Sequence, residues 1–190
     1  MLKMLRCACV AVGCLCLIGG VAGAQEVIHA MTGTIRSVDP AQKAFTLFKD
    51  SGSLITFKDL NDSKLRTVND AKVFSDATAA QAFDKRDAYV IVFYYGMVDN
   101  PTAVAVRALG TGPFTATVGT ITSFNEKDRS ISVKDESGAI HQYKINAATV
   151  AESDFGVVDG LKFRAAKGGH IRVVGTGATD SSTALFLNVM

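Results

Sequence analysis

Histidine side chains are the groups in this chain best suited to binding a metal ion or a polar ligand. There are three, His29, His141 and His170, and none lies within five residues of another. Metal-binding histidines usually have a second ligand at a short, regular spacing, so this spacing predicts no metal site. His170 follows two glycines and is expected in solvent. His141, on the same face of a predicted strand as Tyr143, is a ligand-binding candidate.

A second group with binding chemistry is the aromatic segment 89–95, Y-V-I-V-F-Y-Y. A period of two gives it two apolar faces: Tyr89, Ile91, Phe93 and Tyr95 on one, and Val90, Val92 and Tyr94 on the other. A strand that is apolar on both faces is typical of a position between a core and a domain interface. Aromatic residues on strands can also stack on bases or sugars. Tyr94 and Tyr95 are therefore the ligand-binding candidates of this segment.

The residues for covalent or acid–base catalysis are not arranged in a known pattern. The sequence has no G-x-S-x-G, H-E-x-x-H or P-loop motif, each of which supplies a nucleophile, a metal or a phosphate cradle at fixed spacing. Most carboxylates occupy turn positions, where aspartate forms local hydrogen bonds. Asp50 and Asp135 are expected at barrel ends. We predict a protein that is not an enzyme, with no catalytic residue, metal ligand or cofactor.

The first 24 residues have the pattern of a signal peptide. Lys3 and Arg6 precede an apolar stretch at residues 7–18, and Ala22-Gly23-Ala24 forms a cleavage site. The stretch is short for a membrane-spanning helix, so no transmembrane segment is expected in the mature chain. We predict a periplasmic or secreted protein. The alternative is a lipoprotein signal with Cys14 or Cys16 as the lipidated residue.

Removal of this segment changes the composition in two ways. All four cysteines lie within it, which excludes disulfides, thiolate catalysis and cysteine-rich metal sites from the mature protein. It also carries two of the 20 basic residues and no acid, leaving 18 basic and 18 acidic residues. Phosphate neutralisation dominates nucleic-acid affinity, so this balance predicts no nucleic-acid partner.

An internal repeat organises the remainder. Gly33-Thr34-Ile35-x-Ser37 returns as Gly119-Thr120-Ile121-x-Ser123 with an offset of 86 (119 − 33 = 86). The same offset carries the Ser-Gly turn at 51–52 onto 137–138. A constant offset that keeps apolar, polar and turn positions in phase indicates two copies of one structural unit. We assign residues 25–110 to the first unit and 111–190 to the second.

Alternating patterns predict that both units are all-β. Predicted strands span 28–38, 44–50, 53–60, 88–95 and 102–108, then 114–124, 130–135, 139–145, 161–165 or 170–176, and 183–189. Residues 59–68 hold an insertion in the first unit, residues 76–84 are a candidate for a short helix, and residues 154–160 are a loop or one short turn. Three meandering strands, a connection and two more strands are the order of a five-stranded Greek-key barrel, the OB-fold. His141 would be half-buried at the mouth of its barrel.

The pattern G-T-I-x-S-x-D, F-T-L, D-S-G and F-K, followed by a V-x-V strand, resembles exported bacterial OB-like barrel domains that occur in tandem. The resemblance implies two tandem OB-like barrels of five to six strands. More distantly, the chain is similar to periplasmic copper and silver efflux chaperones, whose site resembles a histidine, two methionines and a tryptophan. This sequence has no tryptophan, and Met31, Met97 and Met190 are far apart.

The function expected from these observations is an exported, non-enzymatic binding or scaffold protein of the periplasm or cell envelope. Its partner would be an envelope protein or a small ligand. The alternative is a periplasmic carrier of a metal ion or a small ligand.

Overall fold

A computed structural model describes residues 27–59, 76–177 and 182–190 of the chain, except the side chains of Asp59 and Gln81. Within these ranges the regular structure is β-strand, apart from one 3-10 turn at Ala80–Ala82. Nowhere in them is there a helix long and apolar enough to cross a membrane. The chain forms two sheets, one from each repeat.

The first sheet closes into a small barrel. Its strands are β1 His29–Asp39, β2 Ala44–Lys49, β3 Leu54–Asp59, β4 Thr78–Ala79, β5 Tyr89–Tyr95 and β6 Thr102–Ala108. β1, β2 and β3 form an antiparallel meander, β5 pairs with β1, and β6 pairs with β5. A short parallel pairing between β3 and β6 closes the ring. β4 adds two residues alongside β6.

The second sheet repeats this plan and adds a hairpin. Its strands are β7 Phe114–Asn125, β8 Ser130–Asp135, β9 Ile140–Lys144, β10 Val150–Ser153, β11 Gly156–Asp159, β12 His170–Thr176 and β13 Ser182–Val189. Five of them close through a parallel pairing of β13 with β9. The β10–β11 hairpin lies at the edge, with β10 parallel to β13.

The repeat extends to backbone irregularities. β1 has a bulge between Ile35 and Ser37, and β7 has one between Ile121 and Ser123. Gly33 and Gly119 lie just before these bulges, where a Cβ atom would overlap the carbonyl oxygen of Phe48 or Lys134. Both glycines therefore permit the close approach of two strands in a sharply bent small barrel.

Each barrel has its own core. In the first, Phe45 and Phe57 stack with ring centres 5.2 Å apart, and Tyr94 meets Phe57 edge-on at 5.5 Å. In the second, Tyr143 stands at the repeat position of Phe57 (57 + 86 = 143). A Cβ atom on Gly175 would come within 2.7 Å of the Tyr143 ring. Gly175 directly follows a bulge in β12, as Tyr94 does in β5, so the second core requires glycine at the place that Tyr94 occupies in the first.

A third apolar cluster joins the barrels, and we call it the shared core. It contains Ile28, Ala30, Ile91, Phe93 and Ala105 from the first repeat and Val150, Val157, Val174 and Phe186 from the second. Phe93 and Phe186 are buried to 0% and 1% exposure. Because burial of apolar surface is the dominant favourable term in folding, the two barrels stabilise each other.

The predicted fold class, all-β with two tandem small barrels, is confirmed. The strands of the first repeat begin and end within about one residue of their predicted bounds, and of the two alternatives in the second repeat the strand is His170–Thr176. The insertion predicted at 59–68 lies outside the described residues except at Asp59. The predicted signal peptide lies entirely outside them. The first sheet ends at Ala108 and the second begins at Phe114.

Two local predictions were wrong. The loop predicted at 154–160 contains β11, and the helix predicted at 76–84 is replaced by β4 and one 3-10 turn. In both places tertiary contacts overrule local propensity. Val150 and Val157 of the hairpin are buried in the shared core, while Ala80 and Phe83 are buried in the first core. The alanine-rich segment is thus held against a sheet and cannot continue as a helix.

Candidate functional site

A groove in the second barrel lies beside the first half of β7. Residues 114–118 pair with β12 along one edge, whereas pairing with β8 begins only at Gly119. The groove occupies ≈ 990 Å³ and is lined mainly by residues 115–118 of β7 and residues 140–143 of β9. Asp135, at the end of β8, also lines it. The groove combines a concave surface with convergent polar groups.

An acid–base pair stands in this groove. The Nε2 atom of His141 lies 2.8 Å from Oδ2 of Asp135. The other carboxylate oxygen of Asp135 accepts hydrogen bonds from the Ser137 hydroxyl at 2.7 Å and the Ala139 amide at 3.0 Å. Hydrogen bonds from Ser137, then from His141, lower the pKa of Asp135 to about 2. Asp135 is therefore a carboxylate at neutral pH and fixes the orientation of His141.

Polar and apolar groups occupy different sides of the groove. The Thr117 hydroxyl contacts the Tyr143 phenol at 2.6 Å, and both residues are buried. Val118 and Ile140, by contrast, are 43% and 65% exposed. Strand alternation explains this separation, because successive side chains point to opposite faces. The groove thus offers hydroxyl and imidazole groups inward and aliphatic groups outward.

The junction between the barrels holds two polar clusters. In the Glu152 cluster, Nδ1 of His29 lies 2.6 Å from Oε1 of Glu152, and the Ala30 amide donates to Oε2 at 2.9 Å. Burial raises the pKa of Glu152 to about 7 against the opposing effect of His29. Because Glu152 belongs to the second repeat and both partners belong to the first, this carboxyl group connects the start of β1 to β10.

In the Asp50 cluster, one carboxylate oxygen, Oδ2, contacts three side chains. Arg172 Nη2 lies 2.5 Å from it, the Thr32 hydroxyl donates at 2.5 Å, and the Tyr89 hydroxyl donates at 2.8 Å. Burial, followed by the charge of Asp50, raises the pKa of the Tyr89 phenol. Arg172 belongs to the second repeat, so this cluster also joins the barrels.

The structure places the three predicted ligand-binding residues in different environments. Tyr94 is buried in the first core, and burial raises its pKa to about 12. Tyr95 is half-buried and packs against the shared core. His141 lies in the groove. Segment 89–95 therefore has one face in a core and the other in an interface, as predicted.

The residues of these clusters differ in how far the sequence alone predicts them. Asp50 lies in the turn after β2 and Asp135 is the last residue of β8, but the partners of neither were predicted. Glu152 was missed because its partner His29 is 123 residues away, and a single sequence carries no signal for that contact. No group of three or more histidine, cysteine, aspartate or glutamate residues suited to a metal ion occurs in residues 27–59, 76–177 and 182–190.

The fold and the groove define a class of protein, a tandem small-barrel β protein with a recessed polar site in its second barrel. Comparisons with protein-family models, with curated proteins and with solved structures found no match to this chain.

Proposed function

We propose that this chain is an exported, non-enzymatic binding or scaffold protein of the periplasm or cell envelope. The predicted signal peptide at residues 1–24 supports export, and the zero net charge of the remaining chain argues against a nucleic-acid partner. Membership of the OB-like exported domains, which the sequence pattern implies, remains part of this proposal.

The observation that carries the proposal is the contrast between the shared core and the groove. The shared core and the two polar clusters hold the barrels together. The groove presents exposed aliphatic side chains beside oriented polar groups. Two barrels joined by a shared core, with such a recess in the second barrel, match a binding module, because pre-organised surfaces lose less conformational entropy on association.

The test is a pull-down from the native envelope with the exported chain as bait. We expect a specific partner whose capture is lost when Val118→Lys and Ile140→Lys are combined. Leu54→Lys is the matched control, since Leu54 is a 63% exposed aliphatic residue on the first barrel. Equal capture by all three baits, or no capture by the unsubstituted chain, would contradict the proposal.

A carrier of a small ligand or metal ion is the second candidate, and the Asp135–His141 pair favours it. An oriented imidazole beside a carboxylate can bind a cation or a hydrogen-bonding ligand. Isothermal titration with Cu(I), Cu(II) and Zn(II) tests the metal form. Heat that disappears in His141→Ala would support it, and absence of heat from all three ions would reject it.

A further inference from the structure

Comparison of the two repeats relates a covered strand edge, at the start of β1, to an uncovered one at the start of β7. The offset of 86 places Phe114, Ala116 and Val118 of β7 at the positions of Ile28, Ala30 and Thr32 at the start of the first repeat (28 + 86 = 114). In both repeats these residues precede the point where the following strand begins to pair. β2 pairs with β1 from Gly33 onward, and β8 pairs with β7 from Gly119 onward. The two edges are therefore equivalent in the fold.

In the first repeat this edge is covered by the second barrel. The carbonyl oxygen of Ile28 accepts a hydrogen bond from the Val157 amide of β11 at 2.8 Å. The Ala30 amide donates to Glu152 of β10 at 2.9 Å. Ile28, Ala30 and Thr32 are 0%, 3% and 4% exposed. The β10–β11 hairpin thus binds the Ile28 carbonyl and the Ala30 amide of the β1 edge, and Ile28 and Ala30 are buried in the shared core.

In the second repeat the described residues leave the equivalent edge open. Ala116 is exposed, and Val118 is 43% exposed. Among the described residues, the strands that pair with β7 are β12, along residues 114–120, and β8, from Gly119 onward. By strand alternation the carbonyl group of Phe114 and the amide of Ala116 point away from β12, as those of Ile28 and Ala30 point away from β5. Backbone donors and acceptors at a strand edge are a template for another strand.

We propose that residues 114–118 of β7 form a docking edge for an extended segment of a partner protein, which adds to the second barrel as a β-strand. This inference rests on the proposed binding function and specifies its ligand class. Five residues of strand span about 16 Å, which suits a short peptide segment better than a compact ligand. Main-chain hydrogen bonds then supply affinity, and side chains at alternate positions supply specificity.

The groove also determines the chemistry of the segment. Its outward residues would meet Ala116, Val118 and Ile140 and are therefore apolar. Its inward residues would meet Thr115 and the Asp135–His141 pair and are therefore polar. The repeat position of His29 is taken by Thr115 (29 + 86 = 115), so a hydroxyl stands where the first repeat has the imidazole that faces Glu152. The imidazole of the groove, that of His141, is already paired with the Asp135 carboxylate. The inward residue is accordingly an uncharged polar residue rather than an acidic one.

Amide hydrogen exchange on the purified chain tests whether the edge is open. The Ala116 amide should exchange at least about 100-fold faster than the Ala30 amide, because the latter opens only when the barrels separate. Ala30 is the matched control, since the repeat relates the two positions. Comparable protection would mean that another part of the same chain already covers the edge, which overturns the proposal.

The partner test compares Ala116→Pro with Ala116→Ser in the envelope pull-down. Proline removes the edge amide while an edge position tolerates its ring, and serine keeps the amide. We expect a loss of capture of about tenfold or more for proline alone, with an unchanged melting temperature. In the complex of the unsubstituted chain, the Ala116 amide should become protected.

The outcomes separate this inference from the proposed function. If the unsubstituted chain captures a partner that Ala116→Pro still binds, strand addition is wrong while the binding function stands. If a captured partner leaves the Ala116 amide unprotected, strand addition is again overturned, whether or not Ala116→Pro folds. If the unsubstituted chain captures nothing, both fail.

Discussion

Nδ1 of His29 and Oε1 of Glu152 lie 2.6 Å apart, although 123 residues separate them in the chain. The contact joins the first strand of one barrel to the added hairpin of the other. Glu152 is 8% exposed and has a pKa near 7. The junction between the barrels therefore contains a carboxyl group that titrates close to neutral pH.

We predict that Glu152→Gln removes a pH dependence of stability. The pKa of Glu152 is raised from 4.5 to about 7 on folding. Its contribution to the free energy of unfolding is fully present below pH 4.5 and is lost as the pH rises through 7. The difference across that window is about 3 kcal/mol at roughly 1.4 kcal/mol per pKa unit.

Urea denaturation at pH 4.5, 6 and 8 measures this difference. The unsubstituted chain should lose stability relative to Glu152→Gln as the pH rises. Glu126→Gln is the control, because Glu126 pairs with Arg164 on the surface with 60% of its side chain exposed. Parallel pH profiles for the unsubstituted chain and Glu152→Gln would contradict the prediction.

The Asp50 cluster predicts a large loss of stability for Asp50→Ala. That substitution leaves the guanidinium of Arg172, a side chain only 16% exposed, without its carboxylate. Removing one member of a buried pair costs about 3–5 kcal/mol. Replacing both, as in Asp50→Ala with Arg172→Met, should cost less than Asp50→Ala alone. Chemical denaturation of the unsubstituted chain, the two single variants and the double variant measures these costs. If the cost of the double variant equals the sum of the two single costs, Asp50 and Arg172 are not coupled.

Phe93→Ala should disrupt the shared core. Phe93 is 0% exposed and lies on the interface face of β5. Truncation of a buried phenylalanine costs about 3–5 kcal/mol. Met97→Ala, a change at an 81% exposed residue just after the same strand, should cost little. Thermal denaturation distinguishes them, and similar melting temperatures would show that the barrels do not depend on each other.

We predict that two substitutions in and beside the groove raise the pKa of Asp135 by different amounts. Ser137→Ala should raise this pKa more than His141→Phe, since the Ser137 hydroxyl is the larger cause of its lowering to about 2. Both variants should move it toward 3.8, the ordinary value. Carboxyl carbon chemical shifts followed by NMR from pH 1.5 to 6 measure it. The reverse order would mean that His141 controls the carboxylate.

Much of this architecture could be predicted from sequence, because its determinants are local or periodic. Gly33 and Gly119 mark equivalent bends, and alternation in segment 89–95 separates a core face from an interface face. The β10–β11 hairpin could not be predicted, since Val150 and Val157 are buried by residues of the other repeat. Arg172, which pairs with Asp50, and His29, which pairs with Glu152, are equally remote along the chain, 122 (172 − 50 = 122) and 123 residues away.

The groove was only partly predictable for the same reason. His141 was identified as a half-buried residue, and Asp135 lies six residues before it across a turn. The open edge of β7, however, is recognised only by comparison with the covered edge of β1. That comparison requires knowing that Glu152 and Val157 reach residues 28–30, and no local pattern encodes it.

The hydrogen bond from Val157 to Ile28 has a consequence for the order of assembly. A polypeptide emerges from its amino end, so residues 28–30 appear long before the hairpin that completes them. One strand edge of the first barrel and the apolar side of β5 therefore remain uncovered until most of the second repeat has been synthesised. Uncovered strand edges and apolar surface favour aggregation, so the nascent chain is vulnerable to it during that interval.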